Sequence, residues 1–288
     1  MKPSFFVSDL HGQIPRYLKL FEVIRKEKPS AVFLGGDLLP HGVHTVISDT
    51  LSFKNFLLEF MQPGFEELRQ ELGRCYPQVF LILGNDDPRA LESNLAFGEN
   101  SGLWDYIPNR RVVFGDYLVY GYPHVPPTPF LLKDWERYDV SRFVDPGCLS
   151  PEEGWRTVPV SQQEMKFTTI EQDLNQLAAS DDLSNAIFLF HSPPYRTKLD
   201  LLEVAGKTVD HAPLDVHAGS IAIKRFIETR QPLVTLHGHL HESPRLSSNW
   251  KCRTGRTFCF SAAHDKPELA LVRFDLHYLQ KATRQLLL

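Results

Sequence analysis

The chain has 288 residues, 42% of them hydrophobic, and a formal net charge of −4 with histidine neutral. A chain of this length and composition can bury a large core without disulfides or structural metals, and residues 1–288 are interpreted as one globular domain. The slightly acidic balance argues against a dedicated nucleic-acid-binding protein, whose binding face is strongly basic.

Three short apolar runs in the first third of the chain predict strands that end in polar residues. SFFV is followed by Asp9 and His11, AVFL by Asp37, and VFLIL by Asn85 and Asp86. Runs of about 4–6 β-branched and aromatic residues, bounded by glycine or proline, are typical of strands buried on both faces. Each of these predicted strands therefore delivers polar groups to its carboxyl end.

Two further apolar runs follow the same rule later in the chain. AIFLF precedes His191, and LVTL precedes a cluster of three histidines within residues 237–241. Apolar residues spaced three to four positions apart predict helices between the strands. The predicted helices cover Ile14 to Ile24, Phe56 to Phe60, Phe65 to Leu72, Phe167 to Leu177 and Ile223 to Ile227. Pro63-Gly64 is expected to divide the second helix from the third, and Ser220 to cap the last.

Other segments predict strands with short connections. They are residues 111–123, the runs TFCFS and LALVRF, and the C-terminal tail. Short connections are typical of antiparallel neighbours, whereas the alternation of strands and helices elsewhere predicts a sheet covered by helices. The predicted fold class is therefore α/β, a mixed sandwich rather than a doubly wound parallel sheet.

Residues 122–160 have weak periodicity and are rich in proline and aromatic residues, including Trp135 and Trp155. Long segments of this kind are uncommon in compact domains unless they are functional. Two interpretations stay open, a long surface insertion and a loop that covers a site. If it covers a site, its aromatic side chains are expected to contact the substrate.

The polar residues at the predicted strand ends are candidate metal ligands. Ligands of open α/β sheets bind beyond the carboxyl ends of the strands. Carboxylate, amide and imidazole groups without a thiolate suit Mn²⁺, Fe or Zn²⁺. The set is too large for one tetrahedral ion, but it can hold two ions that share a carboxylate, an arrangement that promotes displacement at phosphorus. The seven residues are Asp9, His11, Asp37, Asn85, His191, His237 and His239.

The order Asp-x-His, Gly-Asp, Gly-Asn-x-Asp, His and Gly-His-x-His, over residues 9–239, resembles the calcineurin-like metallophosphoesterases. The resemblance implies a four-layer α/β/β/α sandwich around two divalent transition-metal ions. It also implies a ligand set: Asp9, His11 and His239 on the first ion, Asn85, His191 and His237 on the second, and Asp37 between them. His241 has no role in this assignment and is interpreted as a supporting or exposed residue.

Asp86 departs from the family pattern, which usually has histidine after the asparagine. That histidine is thought to assist the leaving oxygen, supported by the aspartate that follows, so Asp86 is the candidate catalytic residue here. An aspartic acid donates a proton only if its pKa is raised, and an ionised Asp86 repels a monoester dianion more than a diester monoanion. The departure at Asp86 therefore predicts a preference for phosphodiesters, or for substrates with good leaving groups, over alkyl phosphomonoesters.

The leading functional hypothesis is a binuclear phosphoesterase that attacks a small phosphorylated substrate with metal-bound hydroxide. Arg196, just after HSPPY, is the candidate phosphate contact, and Arg89 and Arg245 are less favoured. A non-catalytic binding module on the same fold is the first alternative, although all seven ligand positions are chemically competent. A nuclease is the second, and the acidic charge balance counts against it.

The sequence predicts a cytoplasmic protein. SFFV is far shorter than the roughly 7–15 apolar residues of a secretory signal, and no run approaches the roughly 18 apolar residues of a membrane span. The four cysteines, Cys75, Cys148, Cys252 and Cys259, have no Cys-x-x-Cys spacing. They are interpreted as free thiols of a reducing compartment. Oligomeric state stays open.

Overall fold

The first of two sheets contains the amino-terminal strands. The computed structural model describes residues 2–40 and 55–288. The strands of this sheet are β1 (Ser4–Val7), β2 (Ala31–Gly35), β3 (Gln78–Ile82), β4 (Asp105–Tyr106), β13 (Leu269–Phe274) and β14 (Thr283–Leu287). They lie in the order β14-β13-β1-β2-β3-β4. Strands β1 to β4 are parallel, whereas β13 is antiparallel to both β1 and β14.

The second sheet is also mixed. Its strands are β5 (Arg110–Phe114), β6 (Tyr117–Tyr122), β7 (Ala186–Phe190), β10 (Val234–His237), β11 (Lys251–Thr254) and β12 (Thr257–Ser261). They lie in the order β11-β12-β10-β7-β6-β5, with the four central strands parallel and the two edge strands antiparallel. A separate short hairpin pairs β8 (Thr208–Val209) with β9 (Ala212–Pro213).

Helices cover the outer face of each sheet. They are α1 (Ile14–Glu27), α2 (Gln62–Leu72), α3 (Glu92–Asn100), α4 (Gln162–Phe167), α5 (Ile170–Ala178), α6 (Ile221–Arg230) and α7 (Ser243–Ser247). The predicted cap of α6 is confirmed, because the Ser220 side chain accepts a hydrogen bond from Ile223 N, which satisfies an otherwise unpaired donor. Within the described residues, no helix is both long and apolar enough to cross a membrane.

The buried side chains form three layers between helices and sheets. Phe33 and Phe80 of the first sheet stack at 5.0 Å in a central core that also contains Leu189 and Leu236 of the second. Alternate residues of the same strands face outward, toward α1 and α2 on one side and toward α5 and α6 on the other. Because each sheet is buried on both faces, its strands are continuously apolar. The four-layer mixed α/β sandwich is confirmed.

The predicted division at Pro63-Gly64 is wrong. A π-helical turn, Leu57–Met61, runs directly into α2, and Pro63 occupies the first turn of that helix. Proline inside a helix lacks an N–H donor and clashes with the carbonyl four residues earlier. The wider π-helical turn just before it relieves that conflict. Gly64 is needed for packing, because an added Cβ would lie 2.4 Å from the Phe21 ring.

The segment between β6 and α4, residues 123–161, contains isolated β-bridges but neither a helix nor a longer strand. It is anchored from inside, because Trp135 is 1% exposed and its Nε1 donates to the Asp87 carbonyl at 2.9 Å. A buried ion pair adds to this anchor, with Lys133 Nζ 2.6 Å from Glu136 Oε2. Trp135 is therefore part of the core rather than a substrate-facing side chain, whereas Trp155 is 37% exposed.

Candidate metal centre

The carboxyl ends of β1, β2, β3, β7 and β10 meet at one edge of the sandwich. Backbone hydrogen bonds join the first two loops, from Asp9 N to Gly36 O at 3.0 Å and from His11 N to Asp37 O at 2.8 Å. Asp9 Oδ1 accepts from His239 N at 2.9 Å, which ties the loop after β10 to the loop after β1. The predicted convergence of these strand ends is therefore present in the fold.

Four residues of this edge have left-handed backbone conformations. Asp9, His11, Asp37 and His239 have φ angles of 57°, 46°, 51° and 72°. Non-glycine residues seldom adopt positive φ, and each such residue costs on the order of 1–3 kcal/mol. The cost is compatible with folding because the surrounding strands fix the loops, and the result is a set of side chains turned toward one another.

The first group of candidate ligands contains Asp9, His11, Asp37 and His241, whose ligand atoms all lie within 4.8 Å of one another. His11 Nε2 is 3.0 Å from His241 Nε2 and 4.0 Å from Asp37 Oδ2. His241 Nε2 is 3.4 Å from Asp9 Oδ1. Two imidazole nitrogens and two carboxylates thus converge on a small volume, with only His241 partly exposed.

The second group contains Asp37, His191 and His239, and Asn85 lies beside it. His191 Nε2 is 3.3 Å from Asp37 Oδ2 and 3.1 Å from Asn85 Oδ1. The other ring nitrogen, Nδ1, donates to the Gly35 carbonyl at 2.8 Å. That hydrogen bond fixes the ring and directs Nε2 at two oxygen acceptors, as outer hydrogen bonds do for metal-binding histidines.

These side chains fit divalent cations. Asp9 Oδ2 is buried and has no hydrogen-bond partner among the described residues, and an unpaired buried carboxylate oxygen is costly unless a cation compensates it. His191 Nε2 likewise faces two acceptors, so the position between them needs a proton or a metal ion. Oxygen and imidazole donors without thiolate are the set that Mn²⁺, Fe²⁺ and Zn²⁺ accept.

The electrostatics of the cluster keep most donors in the metal-binding form. Burial raises the pKa of Asp9, but the hydrogen bond and charge of His241 hold that pKa at about 2. Burial raises the pKa of Asp37 too, but His191 holds it well below its ordinary range. Burial and the charge of His191 lower the pKa of His239 to about 3. For His191, burial lowers the pKa, but Asp37 overcomes this and raises it to about 10. A bound cation would displace that proton.

The structure does not bring His237 to this cluster. Its Nδ1 lies 2.9 Å from Ser192 O and its Nε2 lies 2.8 Å from Thr235 Oγ1, so both ring nitrogens are engaged elsewhere. The ring is fully buried and stacks on Phe190 at 5.5 Å. Strand β10 ends at His237, and the left-handed conformation of His239 breaks the strand alternation. His237 therefore stays within the second sheet, whereas His239 lies in the loop beyond β10 and reaches the cluster.

The structure places the other predicted site residues outside the two groups of candidate ligands. Asp86 Oδ2 is 3.7 Å from His11 Nδ1, the Asp86 side chain is 20% exposed, and Asp86 N donates to Asp37 Oδ1 at 2.9 Å. Arg196 is exposed, with its guanidinium over the Tyr195 ring at 5.3 Å. The two less favoured arginines are paired with carboxylates, Arg89 with Glu92 and Arg245 with Glu203 and Asp265.

Comparison with known proteins identifies the family. A family model described as calcineurin-like phosphoesterase matches residues 3–243. The chain belongs to this family. This phosphoesterase is accordingly a metal-dependent hydrolase of phosphoric esters. Its candidate ligands lie within the matched residues, at the edge where the strand ends meet.

Two solved structures share the fold of this phosphoesterase at low sequence identity. One aligns with TM-score 0.57 and 14% identity over 100% of this chain and 99% of its own. The TT1561 protein of Thermus thermophilus aligns with TM-score 0.55 and 16% identity over 99% and 98% of the two chains. A structure described as a novel archaeal phosphodiesterase aligns with TM-score 0.42 and 10% identity over 99% of each. No curated protein matches the sequence.

His241 is the cluster member that the sequence interpretation left out. The signal was available, because the Gly-His-x-His pattern falls on Gly238, His239, Leu240 and His241. Gly238 itself is required by close packing, since an added Cβ would lie 1.9 Å from Ser8 Oγ and 2.9 Å from Asp9 Oδ2. In this register the pattern selects His239 and His241, which are the two histidines that the structure brings to the cluster.

Asp87 supports the site from behind. Its two carboxylate oxygens accept backbone N–H groups from Leu38 at 3.0 Å, Leu39 at 2.8 Å and Gly84 at 2.9 Å. The side chain is fully buried, and burial together with the charge of Asp37 raises its pKa to about 8. Asp87 thus joins the loops after β2 and β3, which carry Asp37 and Asn85.

Proposed function

We propose that this phosphoesterase holds two divalent transition-metal ions and hydrolyses small phosphodiesters in preference to alkyl phosphomonoesters. The observation that supports the pair is that Asp37 belongs to both groups of converging ligand atoms. The proposed ligands are Asp9, His11 and His241 for the first ion, Asn85, His191 and His239 for the second, and Asp37 for both. Mn²⁺, Fe²⁺ and Zn²⁺ are the ions that suit this donor set.

The protein residues would position the ions and neutralise part of their charge. The ions would supply Lewis acidity toward the phosphoryl oxygens and would lower the pKa of water. Asp37 is oriented for its shared role, because its Oδ1 accepts from Asp86 N at 2.9 Å while its Oδ2 faces His191 at 3.3 Å. Asp9 and Asp37 bring fewer negative charges than two divalent cations bring positive ones. The site would therefore attract an anionic phosphate.

The diester preference is argued from Asp86, which stands where the family usually has histidine. Its carboxylate lies close enough to His11, at 3.7 Å, to add negative charge at the mouth of the cluster. A monoester dianion would be repelled more than a diester monoanion. General-acid assistance by an imidazole, typically worth about 10²–10⁴-fold, would also be missing, and alkyl leaving groups depend on it most.

The test compares bis(p-nitrophenyl) phosphate with an alkyl monoester such as glycerol 2-phosphate in the presence of Mn²⁺. We expect a higher kcat/KM for the diester. Asp86→His should raise the monoester-to-diester ratio, and Asp86→Asn separates the effect of charge from that of the imidazole. Faster hydrolysis of the alkyl monoester by the unmodified protein would overturn the preference and leave the metal assignment intact.

The proposal also includes a small substrate and a cytoplasmic location for the protein. The net charge of −4 gives no support to a nucleic-acid substrate, and the four cysteines are free thiols, as a reducing compartment would keep them. Arg196, exposed beside Tyr195, is the proposed contact for the phosphate or its ester group. Arg196→Ala should raise KM for bis(p-nitrophenyl) phosphate without changing metal content, and an unchanged KM would remove Arg196 from the proposal.

A further inference from the structure

A cavity of about 510 Å³ lies outside the ligand cluster, between residues 126–148 and residues 195–221. Sites that hold small molecules typically measure about 300–1,000 Å³ and are mostly apolar. The volume is therefore sufficient for an organic group much larger than a water molecule or a phosphate.

The cavity walls are apolar side chains that are incompletely buried. Val140, Leu202 and Leu214 line it half-buried, and Phe143 lines it with 69% of its surface exposed. The two walls approach each other at one point, where a Cβ on Gly147 would lie 3.3 Å from Val209 and 3.8 Å from Leu214. Concentrated, exposed apolar surface of this kind commonly marks a binding site.

The carboxylates that line the cavity would disfavour a second anion. Asp145 and Asp215 line it at exposed positions, and Asp215 accepts a hydrogen bond from the Tyr195 hydroxyl at 2.5 Å. Asp139 is occupied at the start of α6, where it accepts from Ile221 N at 2.6 Å. His217, which also lines the cavity, is paired with buried Asp200 at 2.9 Å. An uncharged apolar group fits these walls better than a phosphate or a carboxylate does.

One cavity wall, residues 195–221, continues the loop that follows His191. Tyr195, in the wall, follows His191 by four residues. Leu202, also in the wall, follows Leu201, whose N–H donates to Ser243 Oγ at 3.0 Å. Ser243 lies two residues after His241. Leu202 is thus held close to the loop that follows His241, at the same edge of the second sheet.

We propose that this cavity binds an uncharged apolar ester group of the substrate. The substrate would then be a phosphoester of an aryl or branched-alkyl alcohol rather than a nucleoside polyphosphate. The inference rests on the proposed function, because it takes the ligand cluster as the place where the phosphoryl group is held. It adds the chemical class of the group attached to that phosphate.

The test uses p-nitrophenyl phosphodiesters in which the second ester group is methyl, isobutyl, phenyl or 1-naphthyl. The leaving group is p-nitrophenolate in every case, so differences in rate report on the second group. We expect kcat/KM to rise on the order of tenfold or more from methyl to naphthyl, because burial of apolar area favours binding. A flat series in an enzyme that hydrolyses the methyl ester overturns the cavity inference and leaves the proposed function standing.

A filling variant and a matched control locate the effect. Val140→Trp places a large ring in the cavity and should flatten the naphthyl-to-methyl ratio of kcat/KM. Val113→Trp makes the same substitution on β5, where Val113 is 65% exposed and lies outside the cavity, and should keep the unmodified ratio. Equal ratios in the two variants overturn the inference.

A binding measurement separates the inference from catalysis. The neutral fluorophore N-phenyl-1-naphthylamine should bind the metal-free protein and gain fluorescence, and Val140→Trp should weaken that binding where Val113→Trp does not. It should also inhibit the naphthyl ester competitively, with a much smaller effect on the methyl ester. If no ester is hydrolysed, the proposed function fails. Absence of Val140-dependent binding overturns the cavity inference whatever the activity is.

Discussion

His237 and His241 lie four residues apart in the sequence, but their surroundings are opposite. His237 is fully buried, with both ring nitrogens hydrogen-bonded inside the second sheet. His241 is 30% exposed and faces Asp9 and His11 at 3.4 Å and 3.0 Å. The pair offers a direct test of the proposed ligand set, because one replacement removes a donor and the other leaves a cavity in the core.

We expect His241→Ala to lose most activity and about one metal ion per chain, since an ion held by fewer donors binds more weakly. His237→Ala should keep its metal content and lose stability by about 2 kcal/mol or more, because it leaves a cavity and an unpaired hydroxyl at Thr235. Elemental analysis and urea unfolding of both variants make the comparison. Metal loss in His237→Ala with full retention in His241→Ala would restore the assignment made from sequence.

Asp37 is the proposed shared ligand, and Asp37→Asn should abolish turnover and lower metal content. An amide keeps the shape but loses the negative charge that offsets the cations, and a shared ligand depends on that charge. The measurement is metals per chain together with hydrolysis of bis(p-nitrophenyl) phosphate. A variant that retains two metals and full activity would show that Asp37 does not bridge.

The candidate donors were predictable by residue type but not by geometry. Asp9, His11 and Asp37 follow apolar runs, and the rule that parallel strand ends meet at one edge brings them together. The positive φ of His239 could not be inferred from strand alternation, although the Gly-His-x-His pattern over Gly238 to His241 already marked the two histidines that reach the cluster. The role of Asp87 was not predicted, because its three backbone partners depend on tertiary structure.

At the scale of elements, the strand ends approach so closely that glycine is required between them. A Cβ on Gly84, just after β3, would lie 2.3 Å from Asp37 Oδ1 and 2.6 Å from His191 Nε2. We expect Gly84→Ala to reduce metal content and activity severely without altering a ligand. Gly115→Ala is the control for backbone strain away from the cluster, because Gly115 has a φ of 58° and a Cβ there meets nothing within 4 Å. Elemental analysis measures the metal content of both variants. Unchanged metal content in Gly84→Ala would mean that the loops move apart to accommodate the added Cβ.

The segment of residues 123–161 depends on Trp135 for its attachment to the core. Trp135→Ala removes a buried ring and a hydrogen bond to the Asp87 carbonyl, so it should lower the free energy of unfolding by about 3–5 kcal/mol. Trp155→Ala, at a 37% exposed position, should cost less than about 1 kcal/mol. Urea unfolding of the metal-free variants gives both values, and equal costs would contradict this anchoring role.

The elements with strong periodicity were the predictable ones. The apolar runs and the Ser220 cap occur as expected, because burial on both faces and an N-cap residue leave clear local signals. The π-helical turn before Pro63 was not predicted, because proline and glycine indicate a break, whereas the wider turn accommodates Pro63 within a continuous helix. Residues 123–161 could not be placed because isolated bridges and a buried ion pair have no periodicity.

At the scale of the whole molecule, two mixed sheets stacked face to face put candidate ligands from five strands at one edge. The first sheet supplies Asp9, His11, Asp37 and Asn85, and the second supplies His191, His239 and His241. Ions held across this edge would couple the two sheets. The periodicity predicted strands, helices and a mixed sandwich, but the four-layer order was implied only by the family resemblance.

Metal removal should therefore lower the stability of the whole fold. A ligand that binds only the folded state stabilises it by about 2.7 kcal/mol when its free concentration is about 100 times Kd. We expect chelation to lower Tm by several degrees and metal addition to restore it, whereas His241→Ala should show a smaller restoration. A Tm that does not respond to metal in the unmodified protein would contradict coupling of the sheets by the ions.

The most direct test of the central claim is a titration of metal-free protein with Mn²⁺, following hydrolysis of bis(p-nitrophenyl) phosphate and bound metal in the same samples. The proposed site predicts two ions per chain at saturation, with activity that follows occupancy of the second. Full activity with one ion, or in metal-free protein, would contradict a binuclear site built around Asp37.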